Sequence, residues 1–238
     1  MPEVAKLKAQ MREEVWRELD ARRVASPRPC HGRIPIFAGA RVAAMKVAKR
    51  SFFFEAETVY STLDLSLQPL REEVLKRGKR LVMMLPGFKG FVIVDSSSLP
   101  KGAIRAAATP RGSLVYGSRV EILKGVKIDV FLAGSVAVDN RGGRLGRGDG
   151  QQDLEYAVLK ELGVLDDRTP VVTLVHEVQV VAQVPMELHD VPADYIATPS
   201  ALLKVESGYK KPSGVIWDLV DEATANKLPL LKLLAGLG

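Results

Sequence analysis

Cysteine is almost absent from this chain of 238 residues. Cys30 stands alone, which excludes an intramolecular disulfide, and no C-x-x-C or Cys/His cluster supports a structural zinc site. Long hydrophobic runs are absent too: no uncharged apolar stretch approaches the roughly 18 residues that a membrane span needs. The start, Met1 to Glu3, is polar and of mixed charge rather than signal-like. We therefore expect a cytoplasmic protein with no membrane association.

Aromatic residues make up only 6% of the chain, and no RNP or helix-turn-helix signature accompanies its formal net charge of +6. The charge is also local. Residues 1–50 hold 12 basic and 5 acidic side chains, a balance of +7, so the rest of the chain comes to −1. Nucleic acid is thus a disfavoured partner, although RNA binding through the basic N-terminal fifty residues, mostly by backbone electrostatics, stays open as a third hypothesis.

Apolar periodicity predicts alternating helices and strands. A helical stripe is formed by Val4, Leu7, Met11, Val15 and Leu19, and this helix should end near residues 25–27. Further helices are predicted over residues 39–49, 67–77 and 153–162, and strands over residues 80–85, 91–95, 129–138 and 170–185, the last being two strands or one bent one. Residues 96–119 are predicted to be a loop, either a lid or plain surface. This alternation indicates an α/β fold whose mainly parallel sheet is covered on both faces, with ligands at the carboxyl ends of its strands.

The most informative segment is a glycine-rich loop, Gly143-Arg144-Leu145-Gly146-Arg147-Gly148-Asp149-Gly150. It follows a predicted strand and precedes a predicted helix, so backbone N–H groups and a helix N-terminus can converge on an anion. Arg144 and Arg147 add planar donors that suit phosphate oxygens. The segment is neither a P-loop nor a dinucleotide fingerprint. We interpret it as a phosphate cradle, with Asp153 as a candidate magnesium ligand. The alternative is a plain turn in which Asp153 complements the helix dipole.

This loop, with Asp139 four residues before it and Asp153 three residues after it, resembles the signature of the 5-formyltetrahydrofolate cyclo-ligase (methenyltetrahydrofolate synthetase) family. Lys8 and Arg12 look like the family's N-terminal Lys-x-x-x-Arg, and residues 188–199, with His189-Asp190, look like its C-terminal His-Asp segment and last strand. The resemblance spans roughly residues 6–200. It implies a single three-layer α/β/α domain over residues 1–238, NagB-RpiA-CoA-transferase-like, with a basic helical part at 1–50 and a tail at 200–238 that packs on the domain.

The resemblance also implies ATP, Mg²⁺ and a folate substrate. The expected reaction converts 5-formyltetrahydrofolate to 5,10-methenyltetrahydrofolate with release of ADP and phosphate, in a monomer or homodimer. Arg144 and Arg147 are the expected catalytic residues, and Asp153 and Asp190 the expected metal ligands. The expected nucleotide-binding residues are Lys8, Arg12, Arg144, Leu145, Gly146, Arg147, Gly148, Asp149, Gly150, Gln151 and Gln152.

Two departures concern the substrate. Gln151 and Gln152 stand where the family has two tyrosines, and glutamine can hydrogen-bond a pterin edge but cannot stack on it. Asp64 aligns with a family glutamate, so Asp64, Gln151 and Gln152 are the expected substrate-binding residues. Residues 153–157 and 211–217 look like the divergent branch of methenyltetrahydrofolate synthetase domain-containing proteins. We expect an ATP-dependent ligase, and a non-catalytic nucleotide- or folate-binding regulator is the alternative.

Overall fold

The computed structural model describes residues 2–206 and 208–236. Its helices are α1 (Pro2–Ala21), α2 (Ala40–Ala48), α3 (Ser51–Glu55), α4 (Gln68–Lys76), α5 (Ile104–Ala107), α6 (Pro110–Tyr116), α7 (Gln151–Glu161), α8 (Glu222–Lys227) and α9 (Pro229–Leu234). Its strands are β1 (Thr58–Ser61), β2 (Arg80–Met84), β3 (Phe91–Asp95), β4 (Ser118–Val120), β5 (Val130–Leu132), β6 (Ala137–Asp139), β7 (Arg144–Leu145), β8 (Val171–Leu174), β9 (Val180–Val181), β10 (Tyr195–Ala197) and β11 (Leu202–Lys204).

The main sheet has the strand order β11-β10-β8-β5-β1-β2-β3-β4. Its five central strands, β10 through β2 in that order, run parallel, whereas β11 at one edge and β3 and β4 at the other pair antiparallel. A smaller sheet, β7-β6-β9, lies apart from it. Because the central strands are parallel, their carboxyl ends meet at one edge, where β5 leads into the small sheet and β1 into the loop that carries Asp64.

Side-chain alternation along the strands builds a core on each face of the sheet. In β2, Leu81 and Met83 pack with α2 and α4 on one face, while Val82 and Met84 pack with α7 and α9 on the other. Each face therefore has its own helical layer. The predicted three-layer α/β fold with a mostly parallel sheet is confirmed.

Several predicted elements differ from those observed. The predicted strand over 129–138 is two strands, since the chain leaves the main sheet after β5 and enters the small sheet as β6. Residues 170–185 form two strands, one of the two predicted alternatives, and these strands, β8 and β9, lie in different sheets. The loop predicted over 96–119 is wrong, because this stretch contains α5, α6 and β4. Thr109 caps α6 by accepting from the Gly112 N–H at 2.9 Å, and Pro110 begins the helix.

The first helix also departs from its predicted stripe. Val15 and Leu19 are buried, but Leu7 is 48% exposed, and Lys8 is buried in its place. The helix ends at Ala21, short of the predicted residues 25–27. Near its N-terminus the helix therefore turns Lys8, and not Leu7, toward the body of the protein. In the described residues, no helix is both long and apolar enough to cross a membrane.

Candidate functional site

The glycine-rich loop is fixed at its base by one buried carboxylate. Asp139, at the end of β6, accepts hydrogen bonds from the backbone N–H groups of Arg141 at 2.8 Å, Gly143 at 2.9 Å and Val184 at 2.7 Å. A Cβ at Gly143 would lie 2.4 Å from Asp139 Oδ2, so the turn needs glycine there. The loop then pairs briefly as β7 and continues to α7.

The loop leads directly into a helix N-terminus. Gly150 precedes α7 with φ of 65°, a left-handed conformation that glycine adopts without strain. The first turn of a helix has backbone N–H groups without partners within the helix and a partial positive charge, and both favour an anion. Glycines 146, 148 and 150 bring backbone without side chains up to this turn. The predicted order of strand, glycine loop and helix is present.

Helix α1 places two cations against the loop. The Arg12 Nε–H donates to the carbonyl oxygen of Gly146 at 2.8 Å, and partial burial lowers the pKa of Arg12, an effect that nearby Asp190 opposes. Lys8 Nζ lies 2.8 Å from Glu187 Oε2 and 2.5 Å from Asp190 Oδ2. The Lys8 hydrogen bond lowers the pKa of Glu187. Residues separated by more than 130 positions in sequence thus meet around one loop.

Together these groups enclose a cavity of about 270 Å³. Every residue predicted to bind the nucleotide lies in its wall: Lys8, Arg12, Arg144, Leu145, Gly146, Arg147, Gly148, Asp149, Gly150, Gln151 and Gln152. Arg147 is the more exposed of the two loop arginines, with 46% of its side chain accessible, and it pairs with Asp149. That hydrogen bond raises the pKa of Arg147, which therefore stays charged.

Arg144 and Asp153 have contacts that differ from the predicted ones. The Arg144 side chain is fully buried, and its Nη2 donates to Asp153 Oδ1. Its other N–H groups donate to the carbonyl oxygens of Val191 at 2.9 Å and Gly134 at 3.0 Å, and to Gln152 Oε1 at 2.6 Å. Asp153 Oδ1 also accepts from the Val191 N–H at 2.9 Å. Because protein groups use these donors, Arg144 holds the cradle together and does not extend into it.

The acidic side of the cavity has the donor types of a magnesium site. One ligand atom each from Glu187, His189 and Asp190 lies within 4.8 Å of the others. Carboxylate oxygens suit Mg²⁺, which commonly takes one or two carboxylates together with substrate phosphates. Asp190 Oδ2 is engaged by Lys8 and by the Glu187 N–H at 2.7 Å, so Oδ1 is its freer oxygen. Asp190 was a predicted metal ligand, but Glu187 was not. Its position three residues before Asp190 is the one feature of the sequence that could have indicated it.

A second cavity, of about 300 Å³, adjoins the first, and Arg147, Asp149, Gln151 and Gln152 line both. The predicted substrate residue Asp64 lies in its wall. Asp64 Oδ2 accepts from Thr62 Oγ1 at 2.6 Å and from Gln152 Nε2 at 2.7 Å, and burial raises the pKa of this carboxyl.

Sequence reasoning missed a second carboxyl in this wall, that of Glu155. It accepts from the Tyr60 hydroxyl at 2.7 Å and from Gln151 Nε2 at 2.9 Å. Burial raises the pKa of Glu155 to about 7. Its spacing of four from Gln151 on α7 placed both on one helix face, but only the fold brings Tyr60, 95 residues away, beside it.

The loop, the N-terminal cations and the His-Asp segment lie around one cavity, as the sequence resemblance required. The model of the 5-formyltetrahydrofolate cyclo-ligase family matches residues 4–199. The chain belongs to this family.

Curated relatives agree with this membership, and a solved structure has a similar fold. The chain is 35% identical over 235 residues to a methenyltetrahydrofolate synthase domain-containing protein of Danio rerio and 33% identical over 234 residues to one of Homo sapiens. In both cases the match covers 95% of this chain and 61% of the relative, so the chain spans about three-fifths of their length. The fold is similar to that of Aquifex aeolicus 5,10-methenyltetrahydrofolate synthetase, with a TM-score of 0.52 at 20% identity, over 86% of this chain and 95% of that one.

Proposed function

We propose that this cyclo-ligase family member binds Mg·ATP in the glycine cradle and uses it to convert 5-formyltetrahydrofolate, or a related formylated compound, to its cyclised product. One observation carries the proposal: the predicted triphosphate residues line a single cavity, which shares Arg147, Asp149, Gln151 and Gln152 with a neighbouring carboxyl-lined cavity. The two reactants would therefore meet at a shared wall. Family membership supports the reaction class.

In this proposal the triphosphate takes its charge complement from three cations and a helix terminus. Lys8, Arg12 and Arg147 surround the cavity, and the first N–H groups of α7 face the same space. Arg147 is exposed and lies in the wall of both cavities, so it is placed to neutralise the phosphoryl group that is transferred. Phosphoryl transfer depends mainly on positioning and charge stabilisation, and these residues supply both.

The reaction balances without a covalent enzyme intermediate. The formyl oxygen of the substrate attacks the γ-phosphorus of ATP, and the bond to the β-phosphate oxygen breaks to release ADP. The neighbouring folate N–H nitrogen then adds to the activated formyl carbon and releases its proton to solvent, and phosphate leaves with the former formyl oxygen. The product is 5,10-methenyltetrahydrofolate. The protein need only hold the two reactants in line and exclude water.

Glu187 and Asp190 are the residues we propose to hold Mg²⁺, with Asp153 as a further candidate from the sequence. The ion would neutralise phosphate charge during transfer. Lys8 Nζ lies between the two carboxylates, within 2.8 Å of each. The Lys8 ammonium already pairs with one oxygen of each carboxylate. When these carboxylates bind Mg²⁺, Lys8 would therefore have to exchange them for the phosphates of the nucleotide.

The alternative, a nucleotide- or folate-binding regulator without turnover, is favoured by the two glutamines. Gln152 uses its amide oxygen for Arg144 and its amide nitrogen for Asp64, and Gln151 donates to Glu155. Both side chains serve the protein's own hydrogen bonds, so the pterin end lacks the aromatic stacking that tyrosines would provide.

The deciding experiment combines binding with turnover. The protein would be titrated with Mg·ATP by calorimetry, and then mixed with 5-formyltetrahydrofolate and Mg·ATP while methenyltetrahydrofolate absorbance and ADP release are followed. We expect ATP binding that Arg147→Ala weakens and Arg168→Ala does not, since Arg168 is 93% exposed and lies outside both cavities. ATP binding without folate turnover at high enzyme concentration would favour the regulator; no ATP binding would refute the cradle.

A further inference from the structure

A third cavity, of about 360 Å³, lies beside the phosphate cradle. It shares Asp149, Gly150, Asp153 and His189 with the cradle, so the two spaces meet at the N-terminal turn of α7. Its far wall is made by the C-terminal segment, through Pro212, Gly214, Ile216, Leu219, Val220, Asp221 and Thr224. This segment begins beyond residue 199, where the match to the family model ends.

The C-terminal segment is anchored on both sides of this wall. Before it, Lys211 Nζ lies 2.7 Å from Asp194 Oδ2 and donates to the Thr169 carbonyl oxygen at 2.9 Å. Within it, the Val215 N–H donates to Glu161 Oε2 at 3.2 Å. After it, Leu230 is buried against the sheet. A wall held at these points is part of the folded structure and has a defined shape.

The cavity has the chemistry of a base-binding pocket. Leu219 is 51% exposed, and three more apolar residues of the lining, Leu154, Ile216 and Val220, are partly buried. Small-molecule pockets are typically concave and apolar with a few polar groups, and volumes of roughly 300 Å³ or more suffice for a drug-sized ligand. Asp149, Asp153 and His189 place polar groups on the side shared with the cradle, and Asp221 and Thr224 add two on the far wall.

The arrangement of the three cavities indicates how a nucleotide would be oriented in the cradle. The Asp64 cavity adjoins the cradle through Arg147 and Gln152, and the apolar cavity adjoins it through Gly150 and His189. If the transferred phosphoryl group lies toward Asp64, the nucleoside must leave the cradle elsewhere, and the apolar cavity is the concave surface it meets. We propose that residues 212–224 bind the purine nucleoside of the nucleotide, with Leu219 and Ile216 covering the base. This rests on the proposed function, because it requires a triphosphate in the cradle.

The test separates base from phosphate recognition. Calorimetry would measure the dissociation constants of Mg·ATP and of magnesium tripolyphosphate for the intact chain and for Leu219→Ala. We expect Kd for ATP to rise about tenfold, as the loss of a few buried methylenes predicts, and Kd for tripolyphosphate to stay unchanged. The matched control is Leu233→Ala, an equally exposed tail leucine at 50% that lies outside this cavity, and it should change neither constant.

A second variant, Ile216→Trp, fills the cavity and should exclude ATP while tripolyphosphate still binds. The inference is overturned if Leu219→Ala leaves the ATP Kd unchanged, or if it weakens both ligands equally. Those outcomes leave the cradle intact as long as Arg147→Ala weakens both ligands. If the intact chain binds neither ATP nor tripolyphosphate, the proposed function fails and this inference fails with it.

Discussion

Replacing either of two arginines in the glycine-rich loop, Arg144 and Arg147, should affect different properties of the protein. The Arg144 side chain is fully buried and donates to two carbonyl oxygens, to Gln152 and to Asp153. Arg147 is 46% exposed and pairs with Asp149 at the surface. We predict that Arg144→Ala mainly destabilises the fold, whereas Arg147→Ala mainly weakens ATP binding.

The magnitude follows from burial. Removing one partner of a buried ion pair costs about 3–5 kcal/mol, because the remaining charge loses its compensation. For a chain of this size each kcal/mol lowers Tm by about 2–4 °C, so Arg144→Ala should melt roughly 6–20 °C below the parent. A surface pair such as Arg147–Asp149 contributes about 0–1 kcal/mol, which predicts a fall in Tm of no more than about 4 °C.

The assay is thermal unfolding followed by circular dichroism, with urea unfolding as a second measurement and ATP calorimetry at a temperature where both variants are folded. Arg144→Lys should not restore stability, since one ammonium cannot reach the four acceptors. The reasoning is refuted if Arg144→Ala melts within about 2 °C of the parent and yet loses ATP affinity as Arg147→Ala does. That result would return Arg144 to the ligand-binding role that its sequence context suggests.

A double-mutant cycle isolates the ion pair itself. Asp153→Asn keeps an acceptor for the Val191 N–H but removes the charge that Arg144 neutralises. If the two side chains act as a buried pair, their destabilisations should be non-additive by about 1–3 kcal/mol. Additive effects would mean that the Arg144–Asp153 pair does not contribute to the free energy of unfolding.

Three further predictions concern the surrounding groups. The pKa of Glu155 is raised from 4.5 to about 7, so the folded state holds this proton more tightly than the unfolded chain does. The free energy of unfolding should therefore fall by up to about 3 kcal/mol as the pH rises from about 4.5 to 7. In urea unfolding at pH 5 and pH 8, Glu155→Gln should reduce this dependence on pH. Asp139→Ala leaves three backbone N–H groups without their acceptor, two of them buried, and should lower the free energy of unfolding by about 3 kcal/mol. A loss of less than about 1 kcal/mol would contradict this role. Lys8→Met should weaken ATP binding about tenfold to a hundredfold, the contribution of a charge-assisted hydrogen bond. In calorimetry with MgCl₂ and no ATP, the same variant should bind Mg²⁺ more tightly, because Glu187 and Asp190 no longer pair with Lys8. Unchanged magnesium affinity would argue against those two residues as ligands.

Much of the glycine-rich loop and its setting could be predicted from local sequence. Closely spaced glycines between a strand and a helix have few structural uses, and that context depends only on neighbouring residues. Only the family resemblance predicted that Lys8 and Arg12 lie beside the loop, because apolar periodicity predicted an apolar stripe at that end of the first helix. The structure shows why: at that end α1 packs against a charged cavity, so Lys8 is buried and Leu7 is exposed.

Short strands and chain reversals were the hardest features to predict. β1 occupies the centre of the sheet with only four residues, too few for a periodic signal. The apolar runs at 129–138 and 170–185 each cross between two sheets, and composition does not change where the chain leaves one for the other. Residues 96–119 are rich in small residues, yet Thr109 and Pro110 together begin a helix there.

The sequence by itself determined the α/β class and the glycine loop, because these depend on local spacing. The resemblance of its motifs indicated the family and the distant residues of the cradle, Lys8, Arg12 and Asp190. Tertiary structure decided what each residue does there. β7 pairs with β6 at Val138 opposite Arg144, so Arg144 is buried, whereas Arg147 beyond the strand is 46% exposed and pairs with Asp149. It also placed Tyr60 against Glu155 and the C-terminal segment beside α7. Those contacts join distant segments, and burial, which sets charge and access, arises only when the segments pack.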